Sequence, residues 1–129
     1  MSKFIKTRYV CIYCRIAMLK TAEMLANKLK CAALLTGDNL GQVATQTLSN
    51  LFVEDSFVSI PVLRPLIGFD KDEITKIAKK IGTFYISTKS DEGCGISPKN
   101  PITKAKKEKI REFDVKDLMN AIVQIPIKG

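Results

Sequence analysis

The sequence predicts an α/β fold: a three-layer α/β/α arrangement built on a mostly parallel sheet. Short apolar runs alternate with stretches whose apolar residues recur at helical spacing, giving the order β-α-β-α-β-α-β. Glycine, asparagine or aspartate stands at several junctions between them, where the chain has to turn. The 129 residues make one domain, and 46% apolar content supplies a core.

Residues 3–10 (KFIKTRYV) are rich in β-branched and aromatic types and predict a first strand. Across 15–29, Met18, Ala22, Leu25 and Leu29 recur at helical spacing, with Leu19 and Ala26 beside them. Residues 31–35 are apolar throughout, as in a strand buried on both faces, so Cys31 is expected in the core. Gly37-Asp38-Asn39 breaks that strand and offers an N-cap to a second helix, with Leu40, Val43, Ala44, Thr47, Leu48 and Leu51 on one face. Residues 57–62 (FVSIPV) predict another strand, ending near Pro61. Asp70-Lys71-Asp72-Glu73 has the form of a capping box, and Gly82 fits the stop of the helix it begins. Residues 83–87 (TFYIS) predict a last short strand. Pro101 is placed to open a basic helix, PITKAKKEKIREF, and Asp114 to cap a final one. Three or four parallel strands with right-handed crossovers would put ligands beyond the strands' carboxyl ends. The loops at 11–15 and 36–39 occupy that edge.

Composition narrows the partners. The 21 Lys and Arg outnumber the 13 Asp and Glu, for a formal charge of +8. That excess suits nucleic acid or phosphate ligands, although a solvated lysine-rich surface gives the same count. No apolar run approaches the ~20 residues that cross a bilayer, and MSKFIKTRYV carries no long apolar core of a signal peptide, so a cytoplasmic location is expected. Four cysteines, Cys11, Cys14, Cys31 and Cys94, in such a chain favour metal, cluster or redox chemistry over structural disulfides. Histidine is absent, so a metal site would rest on thiolates.

Three segments carry candidate chemistry. Residues 36–42 (TGDNLGQ) lie between a predicted strand and a helix, where glycine admits a close ligand and first-turn amides suit an anion or a base edge. An ordinary strand-turn-helix junction has the same pattern. Cys11-x-x-Cys14 is placed just before a helix, where thiol pKa values fall. Two such thiols can hold one ion or cluster, form a redox dithiol, or be inert. Cys94 sits in a glycine-flanked loop open to chemistry. The stretch Lys99, Lys104, Lys106, Lys107, Lys109 and Arg111 suits RNA phosphates or a solvated face, and no aromatic residue is interleaved with it.

Cys14-Arg15, the run from Thr36 to Leu48 (TGDNLGQVATQTL), the run from Val62 to Lys71 (VLRPLIGFDK), Ile81-Gly82-Thr83, the Cys94 loop and Pro101-Ile102-Thr103-Lys104 together resemble one family. It is the tRNA 4-thiouridine synthetases, the ThiI proteins, also linked to thiamine thiazole synthesis. The likeness runs in register over residues 8–110 or so. It implies a PP-loop (adenine nucleotide α-hydrolase-like) domain that uses ATP and Mg²⁺ to adenylate the C4 oxygen of a tRNA uridine, which sulfur then replaces. It also implies that Arg15, Gly37 and Gln46 contact the nucleotide and that Cys94 acts in sulfur transfer. By the same resemblance, Cys11, Cys14 and Cys94 match an iron–sulfur ligand set of archaeal-type members.

The family's SGGxDS phosphate loop does not occur in these 129 residues, and its ferredoxin-like and THUMP tRNA-binding domains are not represented. The expectation is therefore the C-terminal half of a PP-loop domain, inactive alone. It would work as a homo- or hetero-oligomer with a partner chain that carries the phosphate loop and a THUMP-type domain, and with a sulfur donor. The alternatives are a non-catalytic RNA- or nucleotide-binding module and an iron–sulfur or zinc scaffold.

Overall fold

The computed structural model describes residues 8–41, 43–89 and 98–123. In chain order they form α1 (Val10–Lys28), β1 (Leu34–Leu35), α2 (Leu48–Asp55), β2 (Val62–Leu63), α3 (Lys71–Lys80), α4 (Phe84–Ser87) and α5 (Glu112–Val123), with a 3-10 turn at Lys107–Lys109. The strands pair in parallel, Leu34 with Val62 and Leu35 with Leu63, so the α/β class is as predicted. Three or four strands were expected and two are present among the described residues.

The core lies beside the sheet. Ile12, Tyr13 and Ile16 of α1 meet Val53 of α2, Ala105, Ile110 and Val115 of α5, with Tyr9, Phe57, Ile102, Leu118 and Met119 packed around them. α1 packs chiefly on α5 and α2. Of the apolar residues read at helical spacing, Leu19 and Ala26 are buried, whereas Met18, Leu25 and Leu29 are exposed, because the helix starts at Val10 and turns Ile12 and Ile16 inward as well. Residues 8 and 9 form a turn rather than a strand end, and residues 3–7 lie outside the described part.

Two other departures have one cause: side chains take the backbone groups that a regular element would use. The predicted strand at 57–62 fails upstream of Pro61 because the amides of Ser59 and Ile60 donate to one carboxylate oxygen of Glu23 on α1, at 2.7 and 2.9 Å. Pro61 has no N–H, yet its carbonyl accepts from Leu34 at 2.8 Å and starts the ladder. The predicted basic helix from Pro101 is also absent. There Asn50 Nδ2 donates to the Ile102 carbonyl at 2.9 Å, Asn50 Oδ1 accepts from the Ala105 amide at 2.9 Å, and the Thr47 hydroxyl donates to the Thr103 carbonyl at 2.6 Å. The segment is pinned along α2 as irregular chain with a bend at 103–104.

Second-helix formation is delayed from residue 40 to Leu48, where Thr47 caps by accepting from the Asn50 amide at 3.2 Å. Gly41, at φ +78°, turns the chain before it. Within 83–87, Phe84–Ser87 form α4 rather than a strand, and α5 starts at Glu112, ahead of the expected Asp114 cap. At α3 the local signals for both ends held. Asp70 and Glu73 make the reciprocal capping box at 2.8 Å each, and Gly82, at φ +82°, follows α3.

Parallel strands are normally covered on both faces. Here Leu35 is 73% and Leu63 52% exposed, and Cys31, placed in the core by the sequence reading, is exposed as well. Strand β1 starts three residues after Cys31, and Cys31 lies outside the ladder.

Asn50 is fully buried and also donates to the Thr45 carbonyl at 2.8 Å, so it satisfies three backbone groups. Asn50→Ala leaves all three without that partner, and we expect a loss of about 2 kcal/mol. A lower urea midpoint at unchanged slope checks this.

Candidate nucleotide-facing site

Beyond the carboxyl end of β1, the chain gathers charge under a loop. Arg15 of α1 donates from Nε to Glu54 Oε2 at 2.7 Å and from Nη2 to Asp38 Oδ1 at 2.6 Å. Arg64, just after β2, donates from Nε to Asp38 Oδ2 at 2.9 Å. It also grips Asp55 with a fork of two bonds, at 2.8 and 2.6 Å. The Thr36 hydroxyl completes Asp38 at 2.8 Å. Asp38 and Glu54 are buried, and Arg15 keeps about a quarter of its side chain exposed.

This lattice links α1, the β1 loop, α2 and the end of β2, so the loop's shape depends on charge pairing. Burial pushes the Asp38 carboxyl up, but the Thr36 hydroxyl and the Arg15 and Arg64 guanidiniums outweigh it and hold it below its ordinary value. Glu54 goes the other way. Burial pushes it up to about 7 against the pull of Arg15, and its second oxygen, Oε1, has no partner among the described residues. Arg15 loses some basicity to burial and regains more from Glu54 and Asp38, ending above its ordinary value. Arg64 is raised chiefly by its hydrogen bonds to Asp55.

Asn39 sets the other half of the loop. Its amide donates to Gln46 Oε1 at 2.9 Å, and its side-chain Nδ2 donates to the carbonyls of Leu66 and Phe69. The Leu40 amide reaches the Ile67 carbonyl at 3.2 Å. The loop after β1 is therefore clamped to the loop after β2. Asn39 was offered by sequence as a helix cap; it serves instead as a clamp between loops.

Arg15, Gly37 and Gln46 are brought together by this arrangement. Arg15 holds the residue after Gly37, and Gln46 holds the next one. A Cβ on Gly37 would meet nothing within 4 Å, so open space faces the backbone there. Arg15 Nη1 makes no hydrogen bond to the described residues. The buried Asn39 Oδ1, also without a partner among them, adds an acceptor. Open backbone, a guanidinium and amide groups at a strand end fit a nucleotide's polar edges and phosphates.

Cys11 and Cys14 lie inside the first turns of α1, not ahead of a helix, which corrects the sequence reading. Both are half-buried, and their i, i+3 spacing puts them on one face of the helix, with Cys14 next to Arg15 in the chain. Cys94 and Gln42 lie outside the described residues. Among the described residues, no group of three or more metal-ligating side chains assembles. Sequence reasoning did not single out Glu54, Asp55 or Arg64 as parts of one charge network. Glu54 had one legible signal: it falls three residues after Leu51, a carboxylate on an otherwise apolar helix face.

Comparisons with known proteins show the family and the fold. The model of the family described as "Thiamine biosynthesis protein (ThiI)" matches residues 1–119. A "Probable tRNA sulfurtransferase" of Methanocaldococcus jannaschii is 52% identical over 111 residues, covering 86% of this chain and 29% of that protein. One of Thermococcus kodakarensis is 41% identical over 108 residues, covering 84% and 28%. A crystal structure of a 4-thiouridine synthetase–RNA complex with bound ATP superposes at a TM-score of 0.77 with 45% identity, over 86% of this chain and 30% of that one. The chain thus spans under a third of the length of the relatives it matches, as a part of a PP-loop α/β fold. It belongs to the ThiI family.

Proposed function

We propose that this chain contributes the C-terminal part of the PP-loop domain of a tRNA sulfurtransferase that makes 4-thiouridine in an ATP-dependent reaction. The supporting observation is the loop after β1, where Arg15, Gly37 and Gln46 are assembled through Asp38 and Asn39, in a chain 45% identical to an ATP-bound synthetase. In this reading Arg15 offers the exposed part of its guanidinium to the nucleotide. The backbone at Gly37 lets the base or ribose approach, and Gln46 fixes the loop. ATP with Mg²⁺ would supply the activating adenylyl group. The phosphate-binding segment and a THUMP-type tRNA-binding domain would come from sequence beyond these residues, and the exposed faces of Leu35 and Leu63 are suited to pack against it.

Cys94 is proposed as the thiol that takes sulfur from a donor and passes it to tRNA, and the thiazole of thiamine is a second destination for the same sulfur. Cys11 and Cys14, one turn apart on α1, suit two positions of an iron–sulfur cluster with Cys94 as the third. Anaerobic reconstitution tests this: iron uptake should depend on all three cysteines, and uptake unchanged in Cys94→Ser removes the shared site. Among the described residues no helix is long and apolar enough to cross a membrane, in keeping with a cytoplasmic enzyme.

The direct test is co-expression with a polypeptide carrying SGGxDS and a THUMP-type domain, followed by nucleoside mass spectrometry of tRNA. Supplied with ATP, Mg²⁺ and a sulfur donor, the pair should form 4-thiouridine, and Cys94→Ser should abolish it. RNA or nucleotide binding without product would instead identify a non-catalytic module.

A further inference from the structure

Away from the loop after β1, α2 and the basic segment that follows residue 98 enclose an open groove of about 630 Å³. It is lined by Ser49, Phe52 and Val53 on one side and residues 105–108 on the other. In sequence the lysines of this segment have no aromatic neighbour, which argued against base stacking there. The fold supplies one from 54 positions upstream of Lys106: Phe52 is 77% exposed, on the α2 face that lines the groove.

The groove is built. Asn50 and Thr47 hold residues 102–105 in register along α2, and the Lys106 amide donates to the Tyr9 hydroxyl at 3.3 Å. Lys107 is folded over the end of α2, donating to the Ser56 carbonyl at 3.3 Å and lying 5.2 Å from the Phe57 ring centre. Lys106 makes no ion pair among the described residues, and Lys104 and Lys109 flank it against one carboxylate, Glu108. An exposed ring in a cationic, partly apolar trough has the chemistry of a platform for an unpaired base between phosphates. A protein partner would have to match the same trough with acidic side chains, and the net charge of +8 favours the polyanion.

We propose that this groove binds a single-stranded stretch of RNA, with one base stacked on Phe52 and the adjacent phosphates on Lys106 and Lys104. The proposal deepens the tRNA reading above: it assigns an RNA contact to a surface separate from the nucleotide-facing loop.

The test is fluorescence anisotropy with the full chain, a single-stranded RNA oligonucleotide and a blunt RNA duplex, across a salt series. Phe52→Ala, at so exposed a position, should fold normally and weaken single-strand binding roughly 5- to 100-fold with the salt slope unchanged. Lys106→Ala should lower that slope by about 0.7, the share of one phosphate on a single strand. Equal weakening on the duplex, or wild-type affinity in both variants with native circular dichroism, would overturn the groove. So would a self-association that Phe52→Ala disperses while RNA binding stays intact. Nucleotide titrations of the same variants separate this from the function proposed above, because only the groove should be affected.

Discussion

Asp38→Ala is expected to cost about 3–5 kcal/mol of stability, the range for removing one partner of a buried ionic network. The carboxylate is the shared acceptor for Arg15, Arg64 and Thr36, with bonds of 2.6, 2.9 and 2.8 Å. Its removal leaves two guanidiniums facing each other across the space it vacates, and each retains only its outer carboxylate, Glu54 or Asp55. The loop after β1 then loses its tie to α1. Asp38→Asn keeps the shape and one acceptor oxygen, so it should cost less than the alanine variant. Urea unfolding of both measures the difference. Equal midpoints for alanine and wild type would mean that the network adds nothing to folding.

A second large effect is a fall in stability as pH rises between about 4.5 and 7. Glu54 is raised in the folded chain from 4.5 to about 7, so the native state binds its proton more tightly than the unfolded state. Stability from this group is complete below the unfolded value and is lost as pH rises through the folded one. At ~1.4 kcal/mol for each unit, the loss is about 3 kcal/mol. Asp38 has the opposite sign: its lowered pKa gives stability that is present above 3.8 and lost as pH falls below that. The two windows do not overlap, so the curve should peak near their junction. Glu54→Gln keeps an acceptor for Arg15 and should flatten the upper window. A wild-type curve already flat from pH 4.5 to 7 would contradict the raised pKa.

How much of this was legible in the sequence follows from where each signal resides. The capping box at Asp70 and Glu73 and the stop at Gly82 are complete within a few residues, and both stand as read. The strand at 57–62, the helix from 40 and the helix from 101 were read from local pattern. Each was displaced by a distant side chain or a turn: Glu23 at 59–60, Gly41 before α2, Asn50 and Thr47 at 102–105. Period and propensity carry no information about such long-range bonds. For the site, the motif strings placed Arg15, Gly37 and Gln46, and the fold brings them together. The charges that hold them there are separated by up to 49 positions between Arg15 and Arg64 and become a group only in space. Cys31 was misplaced because an apolar run was taken as buried on both faces. Among the described residues Leu35 and Leu63 stand exposed, so the pattern of a strand covered on both faces did not apply.

The central claim, that the loop held by Arg15 is one side of a nucleotide site whose phosphate-binding side lies elsewhere, is tested most directly by calorimetric titration with ATP. The 129-residue chain alone should bind ATP or AMP weakly, with a dissociation constant on the order of millimolar, about 4 kcal/mol. Joined to a segment carrying SGGxDS, it should bind at least tenfold more tightly, and Arg15→Ala should remove most of that gain. Tight ATP binding with pyrophosphate release by the isolated chain, or unchanged affinity in Arg15→Ala of the joined protein, would contradict it.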